Sequence, residues 1–206
     1  MNMQFYMTPG SCSTGIHILL EELDLVFEAH VVNLPKGDNK QAGYLAINPK
    51  GTIPTLVLND GTTLTEFQSI AYYLARAYPK AKLLPDNLIA EAKTLEMMAY
   101  VVNTLHGQGF ARIFASDNFI INSSDEKAIK DKGMEIVSEG FDIINQQLAN
   151  NNLDENHFTI ADAALFYVEF WADKINIPLP ANCQSHYQTM LKRPVINRVL
   201  REEGYY

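Results

Sequence analysis

The chain has 206 residues and a mass of 23.2 kDa, enough for one large domain or two small ones at about 150 residues each. Hydrophobic residues make up 47% and charged residues 19%, an ordinary globular balance that excludes a disordered chain, a collagen-like repeat and a coiled coil. The formal charge is −8, and it is spread: residues 1–80 hold five basic and seven acidic side chains, residues 81–206 eleven and seventeen. Neither stretch supplies the positive field that a phosphate backbone requires, so nucleic acid and an anionic membrane surface are excluded as partners.

No run approaches the roughly 18 uncharged apolar residues of a membrane span. Met1 to Tyr6 lacks the basic and apolar regions of a secretory signal, which makes the cytoplasm the expected address. The two cysteines, Cys12 and Cys183, are too few for a disulfide scaffold, and no Cys/His pattern has zinc spacing. No metal is expected.

The elements then follow in chain order. Gln4 to Met7 is a short strand closed by Thr8-Pro9-Gly10. Ser13 to Leu23 carries Ile16, Leu19, Leu20 and Leu23 at helical spacing. Val26 to Val32 is rich in β-branched residues and reads as a second strand, and Pro35 to Asn39 as a loop. Thr55 to Leu58 and Thr62 to Leu64 flank Asn59-Asp60-Gly61, a hairpin signal because these residues tolerate positive φ. Glu66 to Ala77 returns to helical periodicity.

The order β-α-β-β-β-α, with a right-handed crossover and a terminal hairpin, predicts a thioredoxin-like four-stranded mixed sheet with helices over 1–79. Residues 80–87 read as a linker. Residues 88–206 hold no convincing strand and predict an all-helical domain. Leu88 to Phe114 is a long helix kinked near Gly107-Gln108-Gly109. Asp125 to Asn150 is another, ended by Asn150-Asn151-Asn152. Thr159 caps a third, with Asp162 placed to reach back to its amide. Cys183 to Glu203 completes the domain, broken near Arg193-Pro194.

Cys12 stands where a strand turns into a helix. Unpaired N–H groups at a helix start favour a thiolate, which is a nucleophile and a partner for mixed disulfides. The alternative is a buried structural cysteine, the reading that also suits Cys183.

Thr8-Pro9-Gly10-Ser11-Cys12-Ser13, Asn48-Pro49-Lys50-Gly51-Thr52-Ile53-Pro54 and Leu64-Thr65-Glu66 resemble the bacterial beta-class glutathione transferases. Phe158 to Ala163 and Arg193-Pro194 extend the resemblance over nearly the whole chain. It implies a transferase that uses glutathione as co-substrate, with no permanently bound cofactor, and adds it to a hydrophobic electrophile. It also implies a homodimer. Catalysis falls to Cys12 and His106. Glutathione contacts fall to Ser11, Ile53, Pro54 (a cis proline), Glu66, Phe67 and Asn103. Asp162 belongs to the family's folding cap, and Trp171 to packing.

Phe110, Ile113 and Phe114 are candidates for the electrophile site, or for ordinary core. Taken alone, without the resemblance, Glu66 reads as a surface residue complementing a helix dipole and His106 as a structural hydrogen bonder. Phe67 replaces a smaller family residue, and Gly107 stands where a lysine is usual, so weakened glutathione binding is expected. Two other readings remain open. One is a glutathione-dependent disulfide reductase or peroxidase working through Cys12. The other is a non-catalytic ligand-binding or interaction protein on the same scaffold.

Overall fold

The computed structural model describes residues 2–150 and 158–206, in two compact units: residues 1–84 with 191–206, and residues 85–190. In the first unit the elements are β1 (Met3–Met7), α1 (Ser13–Glu22), β2 (Phe27–Val31), α2 (Ala42–Ile47), β3 (Thr55–Val57), β4 (Thr63–Thr65) and α3 (Phe67–Ala77). The sheet order is β2-β1-β3-β4. β1 runs parallel to β2 with Phe5 opposite Ala29, and antiparallel to β3 with Phe5 opposite Leu56. β3 and β4 form the expected hairpin, with Leu56 opposite Leu64. The mixed sheet read from the sequence is therefore present.

Met3, Phe5 and Met7 alternate inward along β1, the period of two that a half-buried strand requires. α1 is buried along most of its length, from Ser13 to Leu20. Its neighbours are α3 and, unexpectedly, the C-terminal helix α9 (Pro194–Glu202). Ile196, Val199 and Leu200 form the buried stripe of α9. Arg193 donates to Glu22 at 2.8 and 3.0 Å, and Arg198 pairs with Glu21. The sequence-based boundary at 88–206 is thus corrected. Residues 191–206 group with the first unit, where α9 packs against α1. The division between the two units at Leu84 and Pro85 falls within the stretch 80–87 read as a linker, where Leu83 and Leu84 are buried and Pro79–Ala81 forms a 3-10 turn.

The second unit contains α4 (Leu88–Tyr100), α5 (Ala111–Phe114), α6 (Glu126–Asn150), α7 (Ile160–Lys174) and α8 (Ala181–Leu191, its last residue in the other unit). The expected kink at Gly107 to Gly109 is instead a π-helix over Val101–Phe110, joining α4 to α5 without a break. The run Asn150-Asn151-Asn152, expected to end α6, falls mostly outside the described residues. α7 is buried on every side from Ala163 to Ala172 and is the axis of its unit. Its predicted start is present as a reciprocal box: Asp162 accepts the Thr159 N–H at 2.7 Å and the Thr159 hydroxyl at 2.6 Å. No helix among the described residues is long and apolar enough to cross a membrane.

Candidate functional site

The turn after β1 is braced by its own hydroxyls. The Ser11 hydroxyl donates to Thr8 C=O at 2.7 Å, and the Thr8 N–H donates to Ser13 Oγ at 3.0 Å. Ser11 is therefore a turn brace through its side chain. Cys12 occupies the N-cap of α1. Its thiol donates to the Ile53 carbonyl at 3.7 Å.

Cys12 is buried, at 7% exposure, and burial pushes its thiol up to about 12. The backbone N–H groups of Cys12 and Ser13 pull the other way, and the Glu66 charge adds to the rise. Of the two readings open for Cys12, burial favours the neutral thiol, because desolvation outweighs the N-terminal amides. Cys183 is fully buried, donates to Phe141 C=O at 3.6 Å and is likewise pushed up to about 12, chiefly by burial.

Ile53-Pro54 is a cis peptide, as the resemblance implied. The bend is held from beneath by α2 and the segment after it. Tyr44 donates its hydroxyl to Thr52 C=O at 2.6 Å, and Asn48, fully buried, donates to the same carbonyl at 2.8 Å. These two side chains fix where the Ile53 carbonyl sits, and so where Cys12 finds it. The sequence reading missed α2, which has too few residues for periodicity to register.

Glu66 stands at the N-cap of α3 with φ +70°, a conformation costly for a residue with a Cβ. Such strain is of order 1–3 kcal/mol and persists where flanking elements impose it. Its side chain is exposed and meets Lys50 Nζ at 2.6 Å, while Lys50 also donates to Thr65 Oγ1 at 2.9 Å. Sequence pattern alone assigns Lys50 no role; the structure does. Its position places a cation beside the acidic group. Phe67 is buried, at 4% exposure, so its ring belongs to the core of the unit and not to its open surface. That removes the steric half of the expected weakening.

The remaining candidates belong to the second unit. His106 lies in the π-helix, with Nδ1 3.2 Å from the Tyr167 hydroxyl and its ring edge-on to Tyr167 and Trp171. Burial lowers its pKa to about 4, so at neutral pH it is a neutral imidazole. Asn103 is exposed. Phe110 is fully buried and packs against Phe141 and Trp171. It is core, which leaves half-buried Ile113 and exposed Phe114 as the accessible members of that trio.

Two family models match this chain: glutathione S-transferase, N-terminal domain, over residues 10–77, and glutathione S-transferase, C-terminal domain, over residues 127–200. Glutathione S-transferase GstA of Escherichia coli O157:H7 is 35% identical over 98% of this chain and 99% of its own length. The chain belongs to the glutathione S-transferase family. Among solved structures, this transferase is similar to a glutathione transferase homologue from Sulfitobacter with bound glutathione. The TM-score is 0.88 at 26% identity, covering 100% of this chain and 99% of that one. It is also similar to the bacterial beta class glutathione S-transferase of Sphingomonas chungbukensis, with a TM-score of 0.82 at 27% identity over 98% and 100% of the two chains.

Proposed function

We propose that this glutathione transferase is of the beta class and adds the glutathione thiolate to hydrophobic electrophiles, with Cys12 acting as a neutral hydrogen-bond donor. The supporting observation is the Cys12 thiol donating to the Ile53 carbonyl beside a cis proline. On this reading the cysteinyl backbone of glutathione pairs with Ile53 as an added strand residue would. That brings the tripeptide sulfur to Cys12, whose S–H turns from the carbonyl to the incoming thiolate. A donor aimed at a thiolate lowers the pKa of that thiol and raises the nucleophile available at neutral pH.

The other contacts follow the same logic. Glu66 receives the ammonium of the γ-glutamyl end, and the N-terminus of α3 at Phe67 receives its carboxylate. Lys50 balances the anionic tripeptide in place of the lysine absent after His106. His106, held neutral, and Asn103 are assigned to the sulfur and peptide ends, and Ile113 and Phe114 to the electrophile. The proposed assembly is a two-fold homodimer, the commonest closed symmetry, in the cytoplasm. Thiol-disulfide exchange through Cys12 is disfavoured, because it requires the thiolate that burial opposes.

Steady-state conjugation of glutathione to a chloronitroaromatic, followed by absorbance, tests the reading. Activity dependent on glutathione is expected. Cys12→Ala is expected to lower kcat/KM roughly 10- to 100-fold, the value of a hydrogen bond to a charged group. Cys12→Ser, which keeps a donor, is expected to retain more of it. Absence of conjugation overturns the function. Equal rates in Cys12→Ala overturn the role of the thiol.

A further inference from the structure

The first unit carries a second polar cluster, built by α1 and the end of α9. His17 and Glu21 are four residues apart on α1, and so share a face. Glu202 and Glu203 close α9 beside them. Glu203 is buried, and its carboxylate is fully engaged. Gly10 N–H and the Thr14 hydroxyl each donate to Oε2 at 2.7 Å, and His17 Nδ1 lies 2.9 Å from Oε1. An ionised carboxylate only accepts, so Nδ1 must carry the proton. That leaves Nε2 as the ring nitrogen turned towards Glu202.

Nε2 faces Glu202 Oε2 at 3.3 Å, beyond the 2.7–3.2 Å of a good N–H···O bond. The two groups face each other closely enough for one divalent cation to be shared between them. The ligand atoms of His17, Glu21 and Glu202 all lie within 4.8 Å of one another. Two ligands at about 2.1 Å from a tetrahedral ion stand about 3.4 Å apart, close to the His17–Glu202 separation. Arg198 holds Oε2 of Glu21, leaving the other oxygen to turn inward. The cluster opens on a cavity of about 360 Å³, with Met7, Leu25 and Phe27 on its apolar side. The cavity gives an entry path and room for a water ligand.

We propose that His17, Glu21 and Glu202 form a binding site for a transition-series divalent cation of the Zn²⁺ type, with Glu203 as the carboxylate that orients His17. A buried carboxylate behind a ligating imidazole fixes its tautomer and raises its basicity. One imidazole with two carboxylates selects Zn²⁺ over Mg²⁺, which prefers oxygen ligands and retains its waters. The ion clips the first helix of the chain to the last, and so stabilises the docking of α9.

Calorimetric titration of Zn²⁺ into the chelator-treated full-length protein tests the site, with Mg²⁺ as the comparison ion. One Zn²⁺ per chain is expected, with no saturable Mg²⁺ binding at the same concentrations and a Tm that rises with added Zn²⁺. The pair Glu21→Gln and Glu202→Gln, outside the buried core, is expected to weaken Zn²⁺ at least tenfold and abolish the Tm rise. Glu202→Gln alone serves if loss of the Arg198 pair loosens α9. Cobalt substitution is expected to give a visible absorption band in the parent protein that the variants lack. Three results overturn the proposal: no saturable Zn²⁺ binding, equal affinity in parent and variants, or binding that disappears with Cys12→Ser while surviving the glutamate substitutions.

Discussion

At Cys12 two physical effects compete, and their balance sets the chemistry. The helix N-terminus favours a thiolate, but a side chain at 7% exposure loses most of its hydration, and the thiol ends near 12. The motif around Cys12 was legible in the sequence; its protonation state was not, because that depends on burial and, to a lesser extent, on the charge of Glu66, well away along the chain. Glu66 shows the reverse case. Its place before α3 could be read from Leu64-Thr65-Glu66, and the structure adds Lys50 as its partner. Both side chains are more than a third exposed, so that pair contributes little to stability. Its proposed value lies in glutathione recognition. Glu66→Gln is expected to raise the KM for glutathione about tenfold, roughly 1.4 kcal/mol, with a smaller change in kcat and no change in Tm beyond a few degrees. Steady-state kinetics over a range of glutathione concentrations, paired with thermal unfolding, measures this.

At the level of elements, the π-helix at Val101–Phe110 is where the sequence reading was least accurate. Two glycines were read as breakers of a helix. In the structure Gly109 lets the π-helix approach α6: a Cβ there would lie 2.6 Å from Val137 Cγ2. Val137 is fully buried and β-branched, so it has no easy rotamer of retreat. Gly109→Ala would gain about 1 kcal/mol in helix propensity but overpack the contact, at a cost of about 1–3 kcal/mol. A net loss of stability is expected, measurable as a lower denaturant midpoint; an unchanged or higher midpoint would mean the two helices are free to separate. The start of α7 was read correctly from Phe158 to Asp162, because a capping box involves only residues three apart.

Across the molecule, stability depends on contacts that join distant segments. In the second unit His186 sits between two carboxylates, with Nδ1 2.7 Å from Glu169 and Nε2 3.2 Å from Asp162. Burial opposes the charge on His186, but Glu169 and Asp162 together outweigh it and push its pKa up to about 10. Burial likewise lifts Glu169 to about 7 against the pull of His186. Asp162 is lowered: burial acts to raise it, but His186 and Thr159 prevail.

The folded state therefore holds protons on His186 and Glu169 that the unfolded chain releases. Stability from His186 is full below its ordinary value of 6.5 and falls as pH climbs towards 10. Glu169 adds a decline between 4.5 and about 7. Asp162 acts oppositely, its contribution disappearing in acid below the ordinary carboxylate range. Chemical denaturation from pH 6 to 10 should show falling stability. His186→Gln should flatten that dependence and cost about 3–5 kcal/mol at pH 7, the penalty of stranding a buried charge. A parent profile flat over that range would contradict the ionised His186.

Local signals along the chain were enough to establish the main elements, the hairpin, the cap of α7 and the family to which the chain belongs. Each of these follows from residues a few positions apart: turn chemistry, capping spacing and the periods of strand and helix. Packing in three dimensions was needed to show that burial raises the Cys12 thiol, that Phe67 and Phe110 are core, that α9 groups with the first unit, and that His17 meets Glu202 and Glu203. Those outcomes are set by burial and by charges brought together across tens to nearly two hundred residues. Desolvation is a property of everything surrounding a group in space, and no local stretch of sequence contains it.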